Sequence, residues 1–217
     1  MTIVSLETEN LRADGAVKLD FSDGSSLSFS LFYLPETLLQ TFAEVNSGAE
    51  RPAVWEPGRE LSSGEEEAFR FASTCYRVEK IALRLVARAE QNSLGLAAKL
   101  ERRGYNAVVV KAVISRLLDR NLLDDGRYAE LWIRSRLAMG KAPSPRWLLI
   151  SLGKRGIDRY LSREALGKVL DPETEYALLL KYLEKTGIPE EKKVRRLRAQ
   201  LKYEGFSFDV LDRFFND

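Results

Sequence analysis

Histidine is absent from this chain of 217 residues, and cysteine occurs once, as Cys75. Without histidine the chain lacks the commonest general base and the commonest metal ligand, which excludes Ser-His or Cys-His catalysis and histidine-containing zinc sites. A single cysteine permits neither an intrachain disulfide nor a zinc ribbon, and a reducing cytoplasm fits best. Catalysis by carboxylates remains possible on this evidence, but the chain also lacks a Gly-rich phosphate-binding loop and a convincing paired-carboxylate motif. We therefore expect no cofactor and no metal, a protein that is not an enzyme, and a small, buried or half-exposed Cys75.

Long apolar runs are absent as well. No stretch reaches the length of about eighteen apolar residues that a membrane-spanning helix requires. The first residues lack the charged-then-apolar layout of a signal peptide. The sequence therefore predicts a cytoplasmic protein that does not bind a membrane.

Charge is distributed unevenly, although the formal net charge is only +2. Residues 1–75 hold 5 Lys or Arg and 13 Asp or Glu, a net charge of −8, whereas residues 77–163 hold 19 and 8, a net charge of +11. A basic segment of this kind is typical of proteins that bind a polyanion or an acidic partner. Charge alone leaves open the alternative that these side chains form solvated helix surfaces.

A seven-residue phrase occurs three times, at 100–106, 152–158 and 201–207. Each copy has a leucine, three mostly charged residues, a glycine, a large apolar residue and then Asn, Asp or Ser, and the glycines lie 52 and 49 residues apart. Repetition at such a period is typical of tandem helical arrays. The phrase predicts a tight corner, because glycine in the left-handed conformation ends one helix and the polar residue caps the next.

The first part of the chain has a strand-like pattern. Apolar and polar residues alternate in 16–21 and 26–31 with turn residues between them, which predicts a hairpin over 16–32. A strand from Thr2 would complete a meander. Pro35 is expected to open a short helix. Residues 46–58 are predicted to form a loop and a domain boundary.

From residue 62 onward the sequence predicts helices. Ser62 and Glu65 form a capping box, and separate helices are expected over about 62–73 and 76–90. Nine helices are predicted after residue 75, in three trios of similar length. Asp124 and Asp125 are interpreted as helix caps rather than metal ligands or catalytic acids. Further helix starts are predicted at Asn106, Ser144, Asp158, Asp171 and Pro189.

These patterns predict a mainly α fold: a tandem array of three three-helix repeats, with a small N-terminal antiparallel β-hairpin or meander plus helix region. The expected domains are a β-containing region (1–58), the first helical repeat with its leading helix (59–125), the second repeat (126–171) and the third repeat (172–217). Small repeats of this kind bury their apolar faces against their neighbours.

At this point the sequence resembles a known family, the RecX regulators of the RecA recombinase. The resemblance covers about residues 75–217 and rests on the order and spacing of several motifs. They are Leu96-Ala-Ala-Lys-Leu-Glu-Arg-Arg-Gly-Tyr, Leu122-Leu-Asp-Asp-Gly-Arg-Tyr-Ala-Glu-Leu-Trp-Ile-Arg-Ser-Arg, and the second and third copies of the repeated phrase. The chain departs from the family at Gly95, where a Glu usually precedes the leucine.

The resemblance implies a protein that lies in the groove of the RecA–DNA filament and limits its extension, ATP hydrolysis and strand exchange. The expected partners are the RecA filament and, more weakly, single-stranded or duplex DNA, and a monomer is expected. The candidate contacts are Arg102, Arg103, Arg134, Arg136, Lys141, Arg146, Lys154 and Arg155.

Two points stay open from the sequence. The corners at Gly104 and Gly156 also fit an independent DNA-binding protein of the helix-turn-helix type. However, the helix after Gly104 is strongly apolar, whereas a recognition helix exposes Arg, Asn or Gln. Trp132 and Trp147 lie near the basic residues and could stack on bases, but both are interpreted as core residues.

Overall fold

The computed structural model describes residues 1–7, 16–40, 57–186 and 194–216. It opens with a three-stranded antiparallel sheet of β1 (Ile3–Glu7), β2 (Ala16–Phe21) and β3 (Ser26–Ser30), in that order. Alternate residues of β2 are buried, beginning with Val17, as the alternating pattern predicts. The predicted meander is therefore confirmed.

Between the sheet and the first long helix, the chain is described only in part. A 3-10 turn at Leu31–Tyr33 follows β3, and residues 36–40, immediately after Pro35, are helical. Most of the loop predicted at 46–58 lies outside the described residues.

Helix α1 (Ser63–Arg88) is continuous, so the prediction of two helices with a break near residues 73–76 is wrong. Neither Gly nor Pro occurs there, and Ala72, Cys75 and Val78 bury one continuous face across the expected break. The capping box is confirmed, since the Glu65 N–H donates to Ser62 Oγ at 3.3 Å and the Ser62 N–H donates to the Glu65 carboxylate at 2.8 Å.

A buried charged network ties the 3-10 turn to α1. Glu79 is 4% exposed and accepts hydrogen bonds from Tyr33 Oη at 3.1 Å and Arg116 Nε at 2.9 Å. The Arg116 guanidinium also lies 4.0 Å from the centre of the Phe32 ring. Cys75 is fully buried as expected, and burial, with a contribution from Glu79, raises the pKa of its thiol to about 12.

The described helices after α1 follow the predicted order. They are α2 (Ser93–Glu101), α3 (Ala107–Asp119), α4 (Asp125–Ala138), α5 (Pro145–Gly153), α6 (Arg159–Val169), α7 (Pro172–Thr186), α8 (Val194–Tyr203) and α9 (Phe208–Asn216). Side-chain caps at Asn106, Asp124, Ser144 and Asp158 are confirmed. The helix start predicted at Pro189 lies outside the described residues.

Asp125 is the first residue of α4, but its carboxylate caps the N-terminus of α2. Its carboxylate accepts hydrogen bonds from the Ser93 N–H at 2.7 Å and from Ser93 Oγ at 2.6 Å. Asp124, by contrast, caps α4 itself through the Arg127 N–H at 2.9 Å. Both carboxylates therefore serve helix N-termini, where free N–H groups need acceptors.

The three corner glycines have the predicted left-handed backbone, with φ of 87° at Gly104, 80° at Gly156 and 89° at Gly205. Two of these corners are also closely packed. A Cβ atom added at Gly156 would lie 2.4 Å from Leu94 Cδ2, and one at Gly205 would lie 3.1 Å from the Arg146 backbone nitrogen. A Cβ added at Gly104 would have no heavy atom within 4 Å.

Gly95 provides space beside the second corner. A Cβ at Gly95 would lie 2.5 Å from Asn92 Oδ1, and the Asn92 amide donates to the Arg155 carbonyl oxygen at 2.5 Å. The departure from the family pattern at this position therefore accommodates the Asn92 side chain.

The chain divides into two compact units. The first contains residues 1–89 and 97–120, and the second contains residues 90–96 and 121–217. In the second unit, one apolar cluster joins α4, α5 and α6, and another joins α7, α8 and α9. The predicted fold class, mainly helical with three-helix repeats and a small N-terminal sheet, is confirmed. The domain limits at 58, 125 and 171 stay predictions. None of the helices described is long and apolar enough to span a membrane.

Candidate partner-binding surface

Two arginines flank one tryptophan in the second unit. Trp132 and Arg136 are one helical turn apart on α4, and Arg155 follows α5 in the second corner. The guanidinium carbons of Arg136 and Arg155 lie 5.1 Å and 4.5 Å from the centre of the Trp132 ring. Both distances permit cation–π attraction. We call Trp132, Arg136, Arg155 and the neighbouring Trp147 the tryptophan–arginine cluster.

Trp147 extends this cluster to the surface. Its ring stacks on Trp132 with centroids 6.0 Å apart and an interplanar angle of 22°. Trp132 is 9% exposed and belongs to the core, as predicted, but Trp147 is 47% exposed, so its interpretation as a core residue is wrong. Trp147 lies on the first turn of α5, where Leu148 and Leu152 already supply the buried side chains.

The two arginines of the cluster have no carboxylate partner among the described residues. Arg136 Nη1 contacts Met139 Sδ at 3.4 Å, and Arg155 Nη1 donates to the Ser151 carbonyl oxygen at 2.8 Å. Arg136 Nε is buried without a hydrogen-bond partner. Both positive charges are therefore available to an anionic group of a partner.

An open cavity of about 520 Å³ adjoins the cluster. Arg136, Lys141 and Trp147 line it together with Tyr182 and Glu204. The Glu204 carboxylate accepts a hydrogen bond from Ser144 Oγ at 2.6 Å. Burial, with a contribution from Glu204, raises the pKa of the Tyr182 hydroxyl. Among the described residues, the cavity is thus lined by two aromatic rings, two cations and the Glu204 carboxylate.

The remaining predicted contacts are spread over both units. Arg146 lies 3.9 Å from the centre of the Tyr203 ring, and Arg134 and Lys154 are exposed. Arg102 and Arg103 are exposed in the first unit, where Arg102 Nε donates to the Ala98 carbonyl oxygen at 3.2 Å. Among the predicted residues, Arg136 and Arg155 therefore flank Trp132, and Arg136 and Lys141 line the same cavity.

Sequence comparisons with known proteins match this chain to proteins of one family. The family model described as RecX, second three-helix domain, matches residues 124–166. The Regulatory protein RecX of Treponema pallidum (strain Nichols) is 37% identical over 115 residues, covering 53% of this chain and 70% of that protein. The one from Thermobifida fusca is 35% identical over 145 residues, covering 65% and 78%. The chain belongs to the RecX family.

Two crystal structures share the fold. One is described as regulatory protein RecX and superposes with a TM-score of 0.63 at 18% identity, covering 100% of this chain and 99% of the other. The other, RecX from Lactobacillus salivarius, gives a TM-score of 0.51 at 22% identity, covering 67% and 96%.

The segment matched by the RecX model contains α4, α5 and most of α6, and so includes every residue of the cluster. Sequence reasoning missed two further cations in it, Arg159 and Arg163, which line a second cavity with Arg146. Their spacing of four residues on α6 was a usable signal, because it places both on one helix face. No group of three potential metal-ligating side chains occurs in the part of the chain that the structure describes.

Proposed function

We propose that this RecX-family chain regulates the RecA recombinase by binding in the groove of the RecA–DNA filament. It limits filament extension, ATP hydrolysis and strand exchange, acts in the cytoplasm as a monomer, and contacts DNA only weakly. The relatives named as regulatory proteins support this proposal. No reaction at this chain is part of the mechanism.

The observation that carries the proposal is the pair of arginines around Trp132, which have no carboxylate partner in the ranges that the structure describes. A guanidinium that already lies on an aromatic ring is held in position, so less side-chain entropy is lost when it binds a carboxylate or phosphate. The exposed face of Trp147 adds apolar contact area beside these charges. Such a surface suits an acidic patch on a protein filament.

Each such contact is weak, but a filament offers the same contact repeatedly. Binding through several repeats of one chain raises the effective concentration of the later contacts. The eight predicted cations, from Arg102 to Arg155, would supply these contacts in both units. Binding through such contacts can limit the extension of the filament without any chemical step.

The test is the DNA-dependent ATPase of the cognate RecA on single-stranded DNA, with this protein titrated in. Inhibition at stoichiometric or lower protein supports the proposal. An unchanged ATPase and unchanged strand exchange at stoichiometric protein would refute it. A tight, sequence-selective duplex footprint without effect on RecA would favour the helix-turn-helix alternative, although α3 exposes Val108 and Leu118 rather than base-reading amides.

A further inference from the structure

A second cavity, of about 410 Å³, lies between α5 and α6 in the second unit. Four residues of α5 line it at helical spacing: Arg146, Leu149, Ile150 and Gly153. From α6 come Arg159, Ser162 and Arg163, again on one face. Tyr203 and Gly205, at the third corner, close one end. We call this cavity the arginine groove.

Among the described residues, the groove is lined by three arginines and by no carboxylate. Arg146, Arg159 and Arg163 have no ion pair among the residues that the structure describes, and Arg159 and Arg163 are exposed. Arg159 and Arg163 are four residues apart on α6, where like charges repel each other, and an anion bound between them relieves that repulsion. The groove is therefore electrostatically complementary to an acidic ligand.

Ser162 gives an independent sign of a missing partner. The residue is 2% exposed, and its Oγ is buried without a hydrogen-bond partner. Buried hydroxyl groups are nearly always hydrogen-bonded, because leaving one unpaired costs free energy. Ser162 lies between Arg159 and Arg163 on α6 and lines the groove, so rotation of its side chain toward the groove would let a ligand held by the arginines accept its hydrogen bond.

The groove also has an apolar floor. Leu149, Ile150 and Ile157 line it, and Ile150 remains 47% exposed. The exposed Tyr203 ring already has the Arg146 guanidinium 3.9 Å from its centre, so stacking of a base on that face is blocked. An aliphatic floor under cationic walls suits an apolar side chain between carboxylates better than it suits a nucleic acid strand.

We propose that the arginine groove binds an acidic peptide segment of a protein partner, with an apolar side chain on the floor and carboxylates on Arg159, Arg163 and Ser162 Oγ. This site is separate from the tryptophan–arginine cluster and does not depend on the proposed function. Gly153 lines the groove, and a Cβ added there would have no heavy atom within 4 Å, so a larger side chain can be introduced at this position without a clash at its Cβ.

The test is fluorescence anisotropy with the full chain and a fluorescein-labelled peptide that repeats Asp-Leu-Glu. The matched peptide repeats Asn-Leu-Gln. We expect the acidic peptide to bind and the neutral peptide to bind at least about tenfold more weakly. Equal binding of both peptides, or no binding of the acidic one, would overturn the proposal.

Three variants test whether the acidic peptide binds in the arginine groove. Arg159→Glu with Arg163→Glu should weaken binding by at least about tenfold, and Ser162→Ala by about three- to tenfold, as expected for one lost hydrogen bond. Gly153→Leu keeps every charge but fills the groove, and should also abolish most binding. Arg77→Glu, an exposed charge reversal on α1, should leave binding unchanged.

Thermal unfolding must first show that each variant is folded. If Gly153→Leu binds the acidic peptide with wild-type affinity, the peptide is attracted by the general positive charge of the surface rather than bound in the groove, which overturns the proposal. An oligo-dT strand provides the alternative outcome. If it binds more tightly than the peptide and displaces it, and if the same variants lose oligo-dT binding, the groove would be assigned to nucleic acid instead. Because RecA is absent from these assays, their outcome is independent of the ATPase result.

Discussion

Arg116 in the first unit and Arg136 in the second both lie on aromatic rings, and Gly104 and Gly156 are matching corner glycines, but each pair differs in its surroundings. In the first unit, Arg116 lies on an aromatic ring, is buried and pairs with Glu79, whereas the corner glycine Gly104 has open space around it. In the second unit, Arg136 lies on a ring without a carboxylate, whereas the corner glycine Gly156 is tightly packed. An arginine over an aromatic ring is therefore structural when a buried acid neutralises it, and is available for binding when none does.

The largest effect on stability is expected at the buried pair. Arg116→Ala removes the buried cation that pairs with Glu79 and leaves Tyr33 Oη, at 3.1 Å, and the more exposed Arg120, at 3.6 Å, as its remaining partners among the described residues. Loss of one partner of a buried ion pair costs about 3–5 kcal/mol of unfolding free energy. Urea denaturation followed by circular dichroism measures the change.

Arg120→Ala is the matched control, because that side chain is 41% exposed. It should cost less than about 1 kcal/mol. If Arg116→Ala and Arg120→Ala lowered the unfolding free energy equally, the ion pair of Arg116 and Glu79 would not be the structural contact that distinguishes the first unit.

A smaller effect separates the corner glycines. Gly104→Ala should cost about 1–2 kcal/mol, from the left-handed backbone alone. Gly156→Ala adds a clash with Leu94, and overpacking of this kind costs about a further 1–3 kcal/mol. Comparison of the two thermal unfolding midpoints checks this, and equal midpoints would show that packing at the second corner is not tight.

The smallest stability effect is expected in the tryptophan–arginine cluster. Replacing Arg136 or Arg155 with glutamate removes a cation–π contact worth about 0.5–1 kcal/mol at exposed sites. Urea denaturation should therefore show a loss near 1 kcal/mol for each. A loss as large as that of Arg116→Ala would contradict the assignment of these arginines to binding.

Local chemistry explains what the sequence could predict. The three corner glycines and the capping residues act within a few positions of themselves, so their conformations were readable from spacing alone. The repeats, and hence the fold class, follow from those corners. The eight candidate cations were likewise chosen from sequence, but spacing did not indicate that Arg136 and Arg155 flank Trp132 or that Arg136 and Lys141 line one cavity.

Tertiary packing accounts for what sequence reasoning missed. The Ser-Thr-Cys run at 73–75 looks like a break, but a buried face that continues through Cys75 keeps α1 whole. Asp125 caps α2 through Ser93, a partner 32 residues away. The arginine groove exists only because two helix faces meet, which no single helix pattern records.

The most direct test of the central claim is the RecA ATPase on single-stranded DNA with Arg136→Glu/Arg155→Glu compared with Arg77→Glu. Both proteins should be folded, and both carry reversed charge at exposed or partly exposed positions. The account predicts that the double variant needs at least about tenfold more protein for half-maximal inhibition, while Arg77→Glu matches the wild type. Wild-type inhibition by the double variant would contradict the assignment of the partner-binding surface to Trp132 and its two arginines.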